Sequence, residues 1–320
     1  MLGGFFALLA AVTFAWTNAA VRRGVVTGTA VQATTLSIPI GLPVFFAALL
    51  ISGDPAWLWE LPQRSVLVFG IVGVTHFIIG RYCNYRALAA IGTNLAGPIM
   101  QFGMVVSLVL AIAFLGETLT PLRMLGIVLI VAGPALISRD RRKAPAGTEP
   151  PTFSPRIAEG YAFAFVGSVC YGLSPVLVRY AVAGEGLAAS LAGGVIGAGA
   201  ATIVILVLLL LPSHWREVRA VSPKAAKWFL SSGFLVYLSQ IFAYMAVAVA
   251  PVTLTAPIIA LANVFRIHLS RWLNPEHEVF GPDVIVATAI SFFGVLALSA
   301  SADMLPLPAS WTAFLGWHWP

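Results

Sequence analysis

The stretch "FLGETLTP", residues 114–121, sets a glutamate between two long apolar runs. In a chain that is 59% hydrophobic and 9% charged, a carboxylate there needs a reason. The runs on either side, 91–115 and 121–138, are long enough to cross a membrane, since about 20 helical residues span the hydrocarbon core. Thr120 suits an N-cap and Pro121 the first helical position. Glu117 then marks a short turn between two spans, where a carboxylate can face the positive N-terminal end of the next helix. Two readings stand for it: a turn residue at the water interface, or a group with a part in transport. The arrangement recurs at "PEHEVFGP", 275–282, where Glu278 is followed by Gly281, Pro282 and Asp283.

Working outward, the chain contains ten apolar runs: 3–21, 30–52, 65–88, 91–115, 121–138, 159–183, 187–212, 226–250, 251–272 and 281–301. Mean hydropathy is +0.94. Twelve acids and eighteen bases are too few to cover a soluble globule of 320 residues. The runs are continuous rather than alternating, which excludes barrel strands of about 10 residues. Lipid offers no partner to an open backbone, so the runs must be helices. The first run begins at residue 3 with no basic segment before it and no small-residue cleavage site after it, and reads as a retained span. Cys83 and Cys170 both fall inside spans, which argues against a disulfide framework and against a metal site.

A pI near 9.7 could suggest nucleic acid, but basic residues also collect on one side of membrane proteins. Loops after spans one, three, five, seven and nine hold Arg22, Arg23, Arg139, Arg141, Arg142, Lys143, Arg156, Arg216, Arg219, Lys224, Lys227 and Arg271. The other loops hold Arg64, Arg123 and Arg179. The first set is expected in the cytoplasm, with both termini outside, in a bacterial inner membrane. The longest loop, "SRDRRKAPAGTEPPTFSPRIAEG", is the one clear break in composition. It divides the chain into a first five-helix unit (1–138), a basic linker (139–158), a second five-helix unit (159–301) and a Trp-rich tail (302–320). The tail, with Trp311, Trp317 and Trp319, is expected to lie at the interface rather than to span.

The halves resemble each other. At an offset of 159, "YRALAAIGTNLAGPI" (85–99) lies on "YMAVAVAPVTLTAPI" (244–258), matching Tyr85 with Tyr244 and Pro98 with Pro257. At 161, Glu117, Pro121 and Gly133 meet Glu278, Pro282 and Gly294. At 156, Gly4 and Arg23 meet Gly160 and Arg179, and Asn18 lies on Ser174. Three similar offsets in chain order point to duplication. An odd number of spans per half turns the copies upside down relative to each other. The expected fold is therefore all-α integral membrane, ten transmembrane helices as two inverted five-helix repeats around a central cavity, with the solute site at mid-membrane between the repeats.

The chain also resembles the EamA-type transporters of the drug/metabolite transporter superfamily, over about residues 3–301. The resemblance rests on ten spans in two halves, on "LGETLTPLRMLGIVLIVAG" (115–133) and on "AWTNAAVRR" in the first span, with Trp16 and Asn18. The second half departs from the family pattern: "WLNPEHEVFG" replaces Leu-Gly-Glu, and Tyr171-Gly172 stands where Trp is common. The resemblance implies the family's fold and small-metabolite transport, without naming the metabolite.

Ionisable residues within spans narrow the solute. A charge at mid-span costs about 2.5–3.5 kcal/mol on insertion scales and usually faces a cavity or a partner. Arg81, Arg86, Arg266, His76 and His268 lie within spans, and no acid lies at mid-span. At 100° per residue Arg81, Asn84, Tyr85 and Leu88 share a stripe on the third span, which His76 misses. Thr255, Ile259, Asn263, Arg266 and Ser270 share one on the ninth. Gln240 is the counterpart of Arg81, and Ser107 that of Arg266, so neither arginine is duplicated. Arg81 and Arg266 either meet an anionic group in a cavity, with bidentate donors suited to carboxylate or phosphate, or reach toward the surface. Arg86, near a span end, is expected to snorkel, and His76 to pack between helices. Trp16, Tyr85, Tyr171 and Tyr244 could line the cavity or pack between helices.

A cation exporter would need an intramembrane acid to hold its cargo. The expected cargo is thus a small anionic or zwitterionic metabolite, such as an organic acid or amino acid, moved outward by alternating access. The alternatives are a membrane scaffold or sensor and an integral-membrane enzyme. Neither HExxH nor a GxxxxGK[ST] loop occurs. No cofactor, metal or nucleic-acid partner is expected. The expected partners are the solute and the bilayer, in a monomer or homodimer.

Overall fold

The computed structural model describes residues 2–100, 102–140 and 156–262, together with 264, 265, 269, 286, 289, 290, 293, 294, 297 and 309–317. Helix accounts for nearly all of them, and no sheet occurs among the described residues. In chain order the helices are α1 (Leu2–Thr27), α2 (Ala30–Ser37), α3 (Gly41–Ile51), the single turn α4 (Trp57–Glu60) and α5 (Gln63–Val72). A π-helical segment, Gly73–Gly80, joins α5 to α6 (Arg81–Met100). Then follow α7 (Phe102–Leu115), α8 (Pro121–Asp140), α9 (Ile157–Val182), α10 (Gly186–Leu209), α11 (Pro212–Arg219), α12 (Pro223–Val249), α13 (Val252–Ala260) and α14 (Ala309–Gly316).

Six stretches are long and apolar enough to cross a membrane: 2–27, 30–51, 63–92, 157–182, 186–209 and 223–249. They coincide with six of the ten apolar runs, namely the first three of each half. This is a multi-pass membrane protein. The fourth run is divided between the end of α6 and α7, the fifth is α8, and the ninth begins with α13. The tenth run lies largely outside the described residues.

Helix ends follow from local chemistry. Thr29 and Gln32 form a reciprocal capping box at α2. Ser222 accepts from the Ala225 N–H ahead of α12, with Pro223 at the first helical position. Thr120 accepts from the Arg123 N–H at the start of α8, as its sequence position predicts. Within α6, Gly92 takes φ 73°, ψ 176°, which breaks the helix at the junction of the third and fourth runs.

Packing is set by small residues. α1 runs along α12, with Gly24 under the Phe229 ring and Gly3 against Ala250. α6 runs along α9, with Gly160 against Ile91. α10 receives aromatic rings from the first half: Phe69 fills the space over Gly193 and Phe45 that over Gly194. Gly73 meets the Gly197 backbone, and Gly103 meets the backbone at Ser168. Such close approach is how helices associate where lipid supplies no hydrophobic drive between them.

Glu117 does not serve the helix that follows it. Its two carboxylate oxygens accept the Val252 and Thr253 N–H groups, 2.8 Å each, at the start of α13. The group caps the ninth run, 135 residues away, rather than the fifth. Pro251, which precedes α13, leaves these N–H groups open, and the turn at Glu117 is folded where they point.

Candidate functional site

A cavity of about 130 Å³ opens between α1, α6, α7, α9 and α13. Its polar wall is Asn18, Asn84, Ser107 and Tyr171, and its apolar wall includes Phe14, Met100, Met104, Pro175 and Ile259. Asn84 donates toward the Asn18 side-chain oxygen at 3.5 Å. Ser107 donates to the Gly172 carbonyl at 2.7 Å, which pins α7 to α9 below the cavity floor. For scale, an engineered cavity of about 150 Å³ in another protein holds benzene.

Beside the cavity lies a buried, closely packed cluster, the chamber, built around Arg81, which is 1% exposed. The guanidinium carbon sits 4.5 Å from the Tyr237 ring centre and 5.4 Å from that of Phe77. Neither terminal nitrogen has an acceptor. The hydroxyls of Tyr85, Tyr237 and Tyr244 and Nδ1 of His76 are also buried without partners. Phe45 packs against Phe77, Tyr237 and Tyr244 and closes the chamber from the second run. Tyr171 stands between the two spaces: it lines the cavity, and its ring is 4.6 Å from that of His76.

This is an unusual balance of groups. Face-on contact with aromatic rings is worth about 2 kcal/mol to a desolvated cation. Burying the charge costs several kcal/mol. No acid among the described residues offsets the difference: Glu117 is bound to α13, and Glu159 is paired with Arg86 at 2.6 Å. The hydroxyls of Tyr85, Tyr237 and Tyr244 can donate or accept, while the guanidinium presents paired donors of the spacing that carboxylate and phosphate accept.

The stripe read on the third span holds: Arg81, Asn84, Tyr85 and Leu88 are all buried. Asn18, Asn84 and Tyr171 line the cavity, and Tyr85 and Tyr244 belong to the chamber. Gln240 is buried on α12 but is not a cavity residue. Trp16 is 40% exposed on the outer side of α1, away from the cavity. Asn263, Arg266, His268 and the Glu276–Glu278 cluster lie outside the described residues, while Ile259 of the ninth-span stripe lines the cavity.

One expectation changes, that for His76. Arg86, expected to snorkel, keeps a side chain 35% exposed and pairs with Glu159. His76 does not miss the Arg81 stripe as α-helical angles require. The segment before Arg81 is π-helical, and the Arg81 N–H bonds to the His76 carbonyl, so the two residues are one full turn apart. Nor is His76 a satisfied packing residue, since its Nδ1 has no partner. Tyr237 and Phe77 were not picked out from sequence. The 159-residue offset places Tyr237 opposite Ile78, which gave no polar match to draw attention to it.

Residues 1–139 match the model of the EamA-like transporter family. Over these residues the chain is similar to an EamA-like transporter unit. An uncharacterized protein of Methanocaldococcus jannaschii is 27% identical to the chain, over 31% of the chain and 87% of that relative. A crystal structure shares the fold with a TM-score of 0.62 at 21% identity, covering 96% of this chain and 98% of the solved one. The EamA-like match thus covers the first half, and the likeness of fold extends over nearly all of the chain. EamA-like proteins are membrane transporters of the drug/metabolite transporter type, not enzymes.

Proposed function

We propose that this protein is a secondary transporter that moves a small organic anion or zwitterion, an organic acid or amino acid, by alternating access, with export as its direction. The observation that carries the reading is Arg81: a buried cation with two unbonded nitrogens, ringed by tyrosine hydroxyls and walled from a mid-bundle cavity by Tyr171. The cavity is drawn from α1, α6 and α7 on one side and α9 and α13 on the other, so relative movement of the two sets opens or closes it. We read these sets as two inverted five-helix repeats, 1–138 and 159–301, joined by the linker 139–158 and followed by the interfacial tail.

Two reciprocal features support the repeat. α1 runs along α12 as α6 runs along α9, so exchanging the halves exchanges the pairs. Arg22 donates to the Leu88 carbonyl (3.1 Å) near the end of the third run. Arg179 donates to the Val247 and Ala248 carbonyls (2.9 and 3.0 Å) at the end of the eighth. Each arginine thus covers the carbonyl end of a helix just before a break, at Gly92 and at Pro251. The charge distribution between loops supports a cytoplasmic linker in a bacterial inner membrane with both termini outside.

The test is flux of radiolabelled benzoate, alanine and a quaternary ammonium dye in liposomes carrying the purified protein. Benzoate or alanine is expected to move, and R81Q to abolish the movement while the protein still folds. Preference for the quaternary ammonium dye, or undiminished benzoate or alanine flux in R81Q, would overturn the reading.

A further inference from the structure

His76 is the other unpartnered cationic candidate in the chamber, and its position bears on how transport is driven. We propose that His76 is the proton site of the transporter: an anion in the cavity draws on Arg81 and His76 behind Tyr171, the His76 ring takes up one proton as it binds, and solute and proton leave together down the solute's own outward gradient. This rests on the anion reading above and adds the coupling ion to it.

The geometry comes from the π-helical segment Gly73–Gly80. A hydrogen bond from residue i+5 back to residue i closes one turn, and here it runs from the Arg81 N–H to the His76 carbonyl. Residues five apart therefore stand one above the other, where an ordinary α-helix would turn them to different faces. His76 is 7% exposed, with its ring 5.1 Å from that of Phe77 and 4.6 Å from that of Tyr171. Tyr171 is the wall of the solute cavity and Phe77 lies under the guanidinium. The imidazole thus packs behind the Tyr171 wall of the cavity, beside the Arg81 cluster.

Among the described residues, no acid is placed to hold a proton on this ring. The segment 73–80 packs against α5, α6, α9 and α10. α5 carries Arg64 near its far end, and α10 has no titratable residue along Gly186–Leu209. α6 brings Arg81, Cys83 and Tyr85 toward the interior, α9 brings Cys170 and Tyr171, and α12 reaches the chamber with Tyr237 and Tyr244. Without an anion, a proton on His76 meets burial away from water and the positive charge of Arg81. A bound anion reverses the sign of that interaction.

Counting charge on the site gives the consequence. Empty, it carries the one positive charge of Arg81. With the anion alone it is neutral. With anion and proton it is again singly positive, so the empty and loaded transporter cross the membrane with equal charge, and the cycle moves an anion and a proton without net current. The sign of the pH effect follows from linkage. The complex holds one proton more than the empty protein, so anion affinity rises as pH falls.

Benzenesulfonate is the probe, because it stays a monoanion as pH changes and its ring is benzene-sized. Calorimetry on the full-length purified protein, in two buffers of different ionisation enthalpy, counts the protons taken up on binding. The expected count is clearly above zero, with affinity rising as pH falls. H76Q and H76N are expected to bind with pH-independent affinity and no proton uptake, and R81Q not to bind at any pH. Binding by the wild type without proton uptake overturns the role of His76 and leaves the anion site standing. Proton uptake that persists in both His76 variants overturns it too. No binding at any pH removes the anion reading together with this one. If neither His76 variant folds, the wild-type proton count decides.

Discussion

Replacing Glu117 tests whether a turn residue of one half holds a helix of the other. Both of its oxygens accept backbone N–H groups at 2.8 Å, from Val252 and Thr253, and both of those residues are 0% exposed. Hydrogen bonds to a charged group contribute about 1.5–3 kcal/mol each, and stranding a buried donor costs about 1–3 kcal/mol. Alanine at 117 strands both donors and removes the charge from the positive end of α13, so E117A is expected to cost about 3–6 kcal/mol. Glutamine keeps one accepting oxygen without the charge, which places E117Q near 2–3 kcal/mol. At about 2 °C per kcal/mol for a chain of this size, the melting midpoint falls by about 6–12 °C in E117A and about 4–6 °C in E117Q. The assay is the fraction of protein that stays monodisperse in detergent after stepwise heating. E117D, one methylene short but still charged, belongs above both. A midpoint for E117A within about 1 °C of wild type would refute the capping account and return Glu117 to the role of an exposed turn residue.

The Arg179 guanidinium serves two carbonyls at the end of α12, so R179Q is expected to lose about 2–4 kcal/mol, read as a lower melting midpoint in the same assay. Gly92 holds φ 73°, where an alanine costs about 1–2 kcal/mol, whereas a Cβ at Gly70 meets nothing within 4 Å. G92A is therefore expected to destabilise, and G70A to be neutral or slightly stabilising, and equal midpoints for the two variants would contradict the break at Gly92.

The apolar runs made the helical membrane fold legible, because lipid leaves the backbone one solution and twenty-residue periods of hydropathy cannot be hidden. The stripe of Arg81, Asn84 and Tyr85 was legible for a similar reason: on a regular α-helix, sequence spacing is angle. Where the helix is not regular, spacing misleads. His76 was assigned to another face because a constant 100° per residue was carried through Gly73–Gly80, and nothing in "GVTHFIIG" announces a π-turn except the pair of glycines at its ends. Glu117 misled in a different way. Its local chemistry, Thr120 and Pro121 just beyond it, predicts the start of α8 correctly. A carboxylate's affinity for a helix start says nothing of which helix, and the one it found is set by tertiary packing.

The distribution of arginines separates scaffold from site. At the offsets that align the halves, Arg179 has a counterpart within one residue of Arg22, and both cover carbonyls at the end of a helix that stops before a break. A charge needed to close a helix end is needed wherever that end recurs, so such a residue is expected in both halves. Arg81 stands opposite Gln240, and His76 opposite Leu235. Neither group caps a helix end: Arg81 lies against the rings of Tyr237 and Phe77, and Nδ1 of His76 has no partner; their positions in the other half do without charge. One cation already costs several kcal/mol to bury. A second, related by symmetry and facing the same interior, would add its own desolvation and the repulsion between them. A chamber for a single anion can therefore carry its guanidinium in one half only. The half that gives up the charge supplies what a cation can share at lower cost, the ring faces and hydroxyls of Tyr237 and Tyr244.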